Sequence, residues 1–134
     1  MMSAADEVRP VTVLAVDDQA VFLRAAHELI AATPGFSQVG EAASGPEAVA
    51  LAVELQPDLV LLDVRMPGMD GIETAQRLLE ARPEAVVVLI SLDDVPVEPA
   101  AADLGVAAHL RKQDLSTHAL LDLWATHGRP RATQ

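Results

Sequence analysis

Four short apolar runs, each met at or just past its carboxyl end by a polar residue, constrain this chain more than any other feature. Val11 to Val16 leads into Asp17 and Asp18, Leu59 to Leu62 into Asp63, and Ala85 to Ile90 into Ser91. Val106 to Leu110 is followed, one residue on, by Lys112. Short runs rich in Val, Ile and Leu read as parallel strands buried on both faces. In open parallel sheets, ligands bind at the carboxyl ends of strands. Three carboxylates, a hydroxyl and an ammonium would therefore gather on one edge. Three carboxylates together repel and call for a cation. A lysine and a serine beside that cation suit a phosphoryl group.

The stretches between the runs carry helical signals. From Gln19 to Ala32, Phe22, Ala26, Leu29 and Ile30 recur at helical spacing, and Thr33-Pro34-Gly35 ends the pattern. Gln38 to Ala42 reads as a weakly patterned strand. Ser44 and Glu47 have capping-box spacing, with Pro46 in the first turn. The helix they open places Ala48, Leu51, Ala52 and Leu55 on one face, and Pro57 stops it. Met66 to Met69 reads as a loop, with both methionines in loop packing. Asp70 then reads as a helix cap, with Glu73 three residues on. Ile72, Ala75, Leu78 and Leu79 form that helix's stripe, and Pro83 precedes the fourth strand.

After Ser91 the pattern breaks. Pro96 and Pro99 fall where a helix should begin, and proline is tolerated only in a first turn. Leu92 to Glu98 is expected to be an irregular loop, with a short helix over about 99–104 closed by Gly105. Ser116 caps a last helix bearing Leu120, Leu121 and Trp124, which Gly128 ends. Residues 1–9 read as a flexible tail, 10–127 as one domain, and 128–134 as a tail or the start of a linker.

The order is strand–helix repeated five times. It predicts an α/β fold: a five-stranded parallel sheet with helices on both faces. Strand order 2-1-3-4-5 would put the topological switch between the first and third strands, which deliver Asp17, Asp18 and Asp63. Composition agrees with a globular domain, at 51% hydrophobic and 22% charged residues. A net charge of −11 disfavours nucleic-acid binding by this segment. No apolar stretch is long enough to span a bilayer, no secretory signal is legible, and there is no cysteine. A soluble cytoplasmic protein is expected. His27, His118 and His127 share no metal-ligand spacing and read as solvated helix residues; Trp124 reads as a core anchor.

With Asp17-Asp18, Asp63 and its following Val-Arg-Met-Pro-Gly-Met-Asp-Gly, Ser91 and Lys112 in order at strand ends, the chain resembles the receiver domain of two-component response regulators. The resemblance covers about residues 10–127 and implies the flavodoxin-like receiver fold. It implies that Asp63 is the phosphoacceptor, taking a phosphoryl group from a sensor histidine kinase. Mg²⁺ would be held by Asp17, Asp18, Asp63 and the backbone carbonyl of Arg65, with Asp17 mostly acting through water. Lys112 would bind Asp63 at rest and a phosphoryl oxygen after transfer, and Ser91 would move to donate to the phosphoryl group. Such a domain is a signalling phosphoacceptor rather than an enzyme, although it promotes its own phosphorylation and dephosphorylation. Homodimerisation on phosphorylation is a further expectation.

The chain departs from the family in four places. Gln113 stands where proline usually follows the lysine, so a cis bond is not expected. Some receivers linked to helix-turn-helix (LuxR-type) output domains share that feature. His109 replaces the usual switch aromatic, Leu92 stands where a small residue is usual and would crowd the phosphoryl pocket, and Pro96 and Pro99 disturb the helix before the fifth strand. Two other readings compete: a receiver-like interaction module that is never phosphorylated, and a Mg²⁺-dependent aspartate phosphatase. The phosphatase fits poorly, because haloacid-dehalogenase-type enzymes want two aspartates separated by one residue, whereas Asp17 and Asp18 are adjacent.

Overall fold

The computed structural model describes residues 9–65, 71–92 and 103–128. The strands are β1 (Val11–Val16), β2 (Phe36–Ala42), β3 (Leu59–Asp63), β4 (Val86–Ser91) and β5 (Ala108–Arg111). The complete helices are α1 (Ala20–Ala32), α2 (Gly45–Leu55), α3 (Gly71–Ala81) and α4 (Thr117–His127). All strand pairs are parallel, in the order β2-β1-β3-β4-β5. The order reverses between β1 and β3, as the 2-1-3-4-5 expectation requires.

The central strands β3 and β4 are buried at every residue, which is why they read as unbroken apolar runs. Successive side chains still point to opposite faces. Leu14, Val16, Val60, Leu62, Val87 and Leu89 meet Ala48 and Ala52 of α2 and Ala75 and Leu78 of α3. Val11, Val13, Leu59, Leu61, Val88 and Ile90 meet Ile30 of α1 and Leu120 and Leu123 of α4. Small alanines on α2 and α3 let these helices lie close to the sheet, where a core with 2% aromatic residues has no large rings to accommodate.

Local signals are realised at the helix ends. Ser44 Oγ accepts from Glu47 N–H at 3.3 Å, while Glu47 reaches back to accept from Ala43 N–H at 2.9 Å. Pro46 sits in the first turn of α2, and the helix closes through Gln56 in the left-handed region before Pro57. Ser116 Oγ accepts from Ala119 N–H at 3.0 Å and caps α4.

Four boundaries and faces differ from expectation. β2 begins at Phe36 rather than Gln38. Its register slips opposite Val13 and Leu14, leaving Val39 unpaired, and this bulge breaks the period-two pattern. β5 begins at Ala108 rather than Val106, which packs instead against the α2/α3 side. Leu23 is the buried residue of the first turn of α1, with Phe22 half-buried beside it. Leu121 is 42% exposed; Leu120, Leu123 and Trp124 form the packed stripe, at the three- and four-residue spacing of one helix face. The loop over Met66 to Met69, the cap at Asp70, and the loop and helix start at Pro96 and Pro99 lie outside the described residues. Asp103 and Leu104 are helical and Gly105 turns with φ +99°, so the helix stop at Gly105 is realised.

Candidate functional site

Asp17 and Asp63 are carried to one edge by the two strands flanking the switch point. Asp17 N–H donates to Ala42 O at 3.0 Å, extending the sheet ladder past β1, and its carboxylate Oδ1 accepts from Gln19 N–H at 2.8 Å. That second bond fixes the turn into α1 and leaves Oδ2 facing inward. Asp17 is fully buried, whereas its neighbour Asp18 is exposed. Asp63, the last residue of β3, is 6% exposed. Its Oδ1 accepts from Arg65 N–H at 3.1 Å, and Val64 N–H donates to Ile90 O at 2.9 Å, so the chain beyond β3 is tied down at once.

Lys112 comes from the other end of the sheet. It opens a short 3₁₀ turn (Lys112–Asp114) after β5, braced by Arg111 Nε to Asp114 Oδ2 at 3.0 Å. No cis peptide bond occurs among the described residues, as Gln113 led us to expect. The Lys112 ammonium lies 2.7 Å from Asp17 Oδ2 and 3.9 Å from Asp63 Oδ2. Lys112 thus pairs with both carboxylates, and its shorter contact is to Asp17, which was not expected. Phe22 of α1 stands under the ammonium, with its ring centroid 4.5 Å from Nζ, a cation–π contact that sequence reading missed.

Asp17, Asp18 and Asp63 each bring a carboxylate oxygen within 4.8 Å of the others. Asp17 Oδ2 is buried and makes no well-directed hydrogen bond; its contact with Lys112 is ionic. Three carboxylates this close, all hard oxygen donors, fit a small divalent cation. Among the described residues no other cluster of His, Cys, Asp or Glu has this character. His27, His118 and His127 are exposed, as expected, and His118 pairs with Asp122 one turn along α4.

Burial pushes the Asp63 carboxyl up to about 6. The Arg65 N–H bond opposes this, Asp17 adds to it, Lys112 opposes it, and Asp18 adds a little more. The group is ionised, and so nucleophilic, at neutral pH.

Ser91 closes β4 and is 3% exposed. Its Oγ lies 2.8 Å from His109 Nε2. Leu92, expected to crowd the pocket, is instead 63% exposed. It lines the rim of an apolar groove of about 500 Å³ with Phe22, Ala26, Leu29 and Leu115, beside Lys112.

A model of the response regulator receiver domain matches residues 13–122. The chain belongs to that family. The nitrate/nitrite response regulator protein NarL of Escherichia coli K12 is 39% identical over 85 residues, covering 63% of this chain and 39% of the relative. Among solved structures, the signal receiver domain of the putative response regulator NarL from Mycobacterium tuberculosis superposes with a TM-score of 0.76 at 34% identity, covering 85% of this chain and 95% of that one. The response regulator domain of Thermotoga maritima CheB gives 0.78 at 27% identity, covering 89% and 96%. The chain spans less than half the length of curated relatives such as NarL and GacA. It is a signalling receiver of the two-component type, with the flavodoxin-like fold and an acidic pocket compatible with a divalent metal. No helix among the described residues is long and apolar enough to cross a membrane.

Proposed function

We propose that this receiver takes a phosphoryl group from a sensor histidine kinase onto Asp63. An Asp63 carboxylate oxygen would attack phosphorus, the P–N bond of the donor phosphohistidine would break, and the departing imidazole would recover a proton. The observation that carries this is the gathering of Asp17, Asp18 and Lys112 around a nearly buried, ionisable Asp63 at the switch point of the sheet. Asp17, Asp18, Asp63 and the Arg65 carbonyl would hold Mg²⁺, which when bound screens the phosphoryl charge from the nucleophile. Lys112 would neutralise a phosphoryl oxygen from the other side. Its present distances let it shift from Asp17 toward Asp63 by little more than an ångström-scale movement of a flexible side chain. Ser91 would donate to another phosphoryl oxygen. Catalysis here is positioning and charge neutralisation.

Residues 10–127 form this unit on our reading, with 1–9 as a tail and 128–134 as a tail or linker. Given the greater length of the relatives, we place it as the receiver part of a cytoplasmic response regulator, whose output and dimerisation answer to the phosphoryl group. The outward-pointing Leu92 removes one reason to favour an inert interaction module.

Incubation with a small acyl phosphate and Mg²⁺, followed by intact mass measurement, tests the assignment. Wild type should gain one acid-labile phosphoryl group and Asp63→Asn none. Unchanged labelling of Asp63→Asn would move the site elsewhere, and no labelling of wild type would favour the inert module.

A further inference from the structure

The Lys112 ammonium has an uncharged partner beside its two charged ones. Nζ lies 2.7 Å from Asp17 Oδ2 and 3.9 Å from Asp63 Oδ2, and it also stands over the Phe22 ring, 4.5 Å from the centroid. The start of α1 fixes that ring relative to Asp17. Asp17 Oδ1 accepts from Gln19 N–H at 2.8 Å, and Gln19 O accepts from Phe22 N–H at 3.1 Å. These bonds link the carboxylate to the backbone that carries the ring. Phe22 itself is half-buried and packs against Leu23, Ala26 and Ile30 of its own helix and Ala15 of β1. An aromatic face attracts an ammonium through its quadrupole, more strongly where water is excluded. The Lys112 side chain is only 10% exposed.

The two carboxylates hold the lysine less firmly once a cation is bound. On our reading both are metal ligands, and a metal's charge weakens their pull on a neighbouring ammonium. The ring has no net charge and offers nothing to a hard cation that demands oxygen ligands. Resting on the phosphoacceptor reading of Asp63, we propose that Phe22 is a positioning residue for phosphoryl transfer: its ring face keeps the Lys112 ammonium beside Asp63 when the metal has claimed the carboxylates. A free lysine gives up its rotamer freedom to meet the incoming phosphoryl oxygen; a lysine seated on the ring has already done so. Such a contact holds out to about 6 Å from the centroid, so an ångström-scale shift toward Asp63 leaves it intact. Phe22 acts through Lys112 alone. The bond changes remain attack by an Asp63 oxygen on phosphorus and departure of the donor's leaving group.

Fluorination separates this role from packing. Replacing Phe22 by 4-fluoro-, 3,5-difluoro- and 3,4,5-trifluorophenylalanine lowers the negative potential of the ring face step by step, while shape and apolar area stay nearly the same. Acetyl phosphate at saturating Mg²⁺ is the donor, and intact mass gives the rate of labelling. The rate should fall with each fluorine, by about three- to thirtyfold across the series, the worth of one cation–π contact. The same series in Lys112→Met should be level, because the ring acts through the ammonium. Proton spectra add a readout independent of activity. In wild type the Lys112 ε-methylene should be shifted upfield by the ring current, should keep that shift when Mg²⁺ is added, and should lose it in Phe22→Leu. Level rates across the fluorinated series, an equal fall in Lys112→Met, or an ε-methylene shift that vanishes on Mg²⁺ binding would overturn the role of Phe22 and leave Asp63 as acceptor. Failure of wild type to label would overturn the phosphoacceptor reading, and the role of Phe22 with it.

Discussion

Lys112, which follows the edge strand β5, is ion-paired with Asp17 at the end of β1, at 2.7 Å between Nζ and Oδ2. Asp17 is fully buried and Lys112 nearly so, so neither charge has much water to fall back on. Removing one partner of such a pair strands the other, at a cost of about 3 kcal/mol. Lys112→Met is therefore expected to lower the urea midpoint markedly in chelator. Added Mg²⁺ should recover much of the loss. Equal losses with and without Mg²⁺ would show that lysine and metal do not share Asp17.

Asp63 makes stability depend on pH with an unusual sign for a carboxylate. Its pKa is raised in the folded state, from 3.8 to about 6, chiefly by burial. Between those values the native state binds more protons than the unfolded one, so stability falls as pH rises. The contribution is fully present below about 4 and lost as pH passes 6. Asp63→Asn should accordingly stabilise the metal-free domain at pH 8 by up to about 3 kcal/mol and flatten its pH profile between 4 and 7. Thermal melts in chelator across that range check both. A steeper profile in the variant would refute the raised pKa. Because ligation needs the ionised form, Mg²⁺ affinity in wild type should weaken as pH falls through about 6.

A bound cation should relieve the repulsion among Asp17, Asp18 and Asp63, whose oxygens lie within 4.8 Å of one another. Stabilisation follows mass action, about 2.7 kcal/mol at a hundredfold excess over Kd. Melting should rise with millimolar Mg²⁺ in wild type and much less in Asp18→Ala. Asp18 is the member to remove because it is exposed, so its loss perturbs packing least. Identical shifts in both proteins would exclude Asp18 as a ligand.

The parts of this architecture legible in the sequence are those where one face or one edge dominates. β3 and β4 are buried on both sides, so their apolar runs and the polar residues that end them, Asp63 and Ser91, could be read directly. Edge strands were harder to read. β2 is half-buried along most of its length and bulged at Val39, and β5 is half-buried throughout, so neither has a clean period and both were misplaced by two residues. Within the site, the residue types and the strand ends were legible, but their pairing was not. Whether Lys112 faces Asp17 or Asp63 depends on the path of the 3₁₀ turn. The Phe22 contact depends on where α1 lies against that turn, and helical spacing alone marked Phe22 only as core. The Ser91–His109 bond did have a signal: both residues fall on the same parity as Leu89 once strand register is known, and register is what a single sequence withholds.

Gly71 lets the start of α3 lie directly against Val64 because it has no Cβ. Its φ is not in the left-handed region, so no conformational demand explains a glycine there. Its N–H donates to Val64 O at 3.1 Å, and a Cβ would stand 2.7 Å from both Cα and O of Val64, which are backbone atoms without a rotamer to yield. Gly71→Ala must therefore push the start of α3 away from Val64 or drag Val64 with it. Either movement strains a close-packed contact, at about 1–3 kcal/mol. The displaced Val64 lies between Asp63 and Arg65, whose N–H holds Asp63 Oδ1 at 3.1 Å. Mg²⁺ affinity should fall together with stability, which a substitution acting on α3 packing alone would not do. Urea denaturation and Mg²⁺ titration of Gly71→Ala, beside Gln76→Ala on the exposed face of the same helix, separate the two effects. A loss of stability with unchanged Mg²⁺ affinity would show that Val64 stays put and that α3 alone gives way.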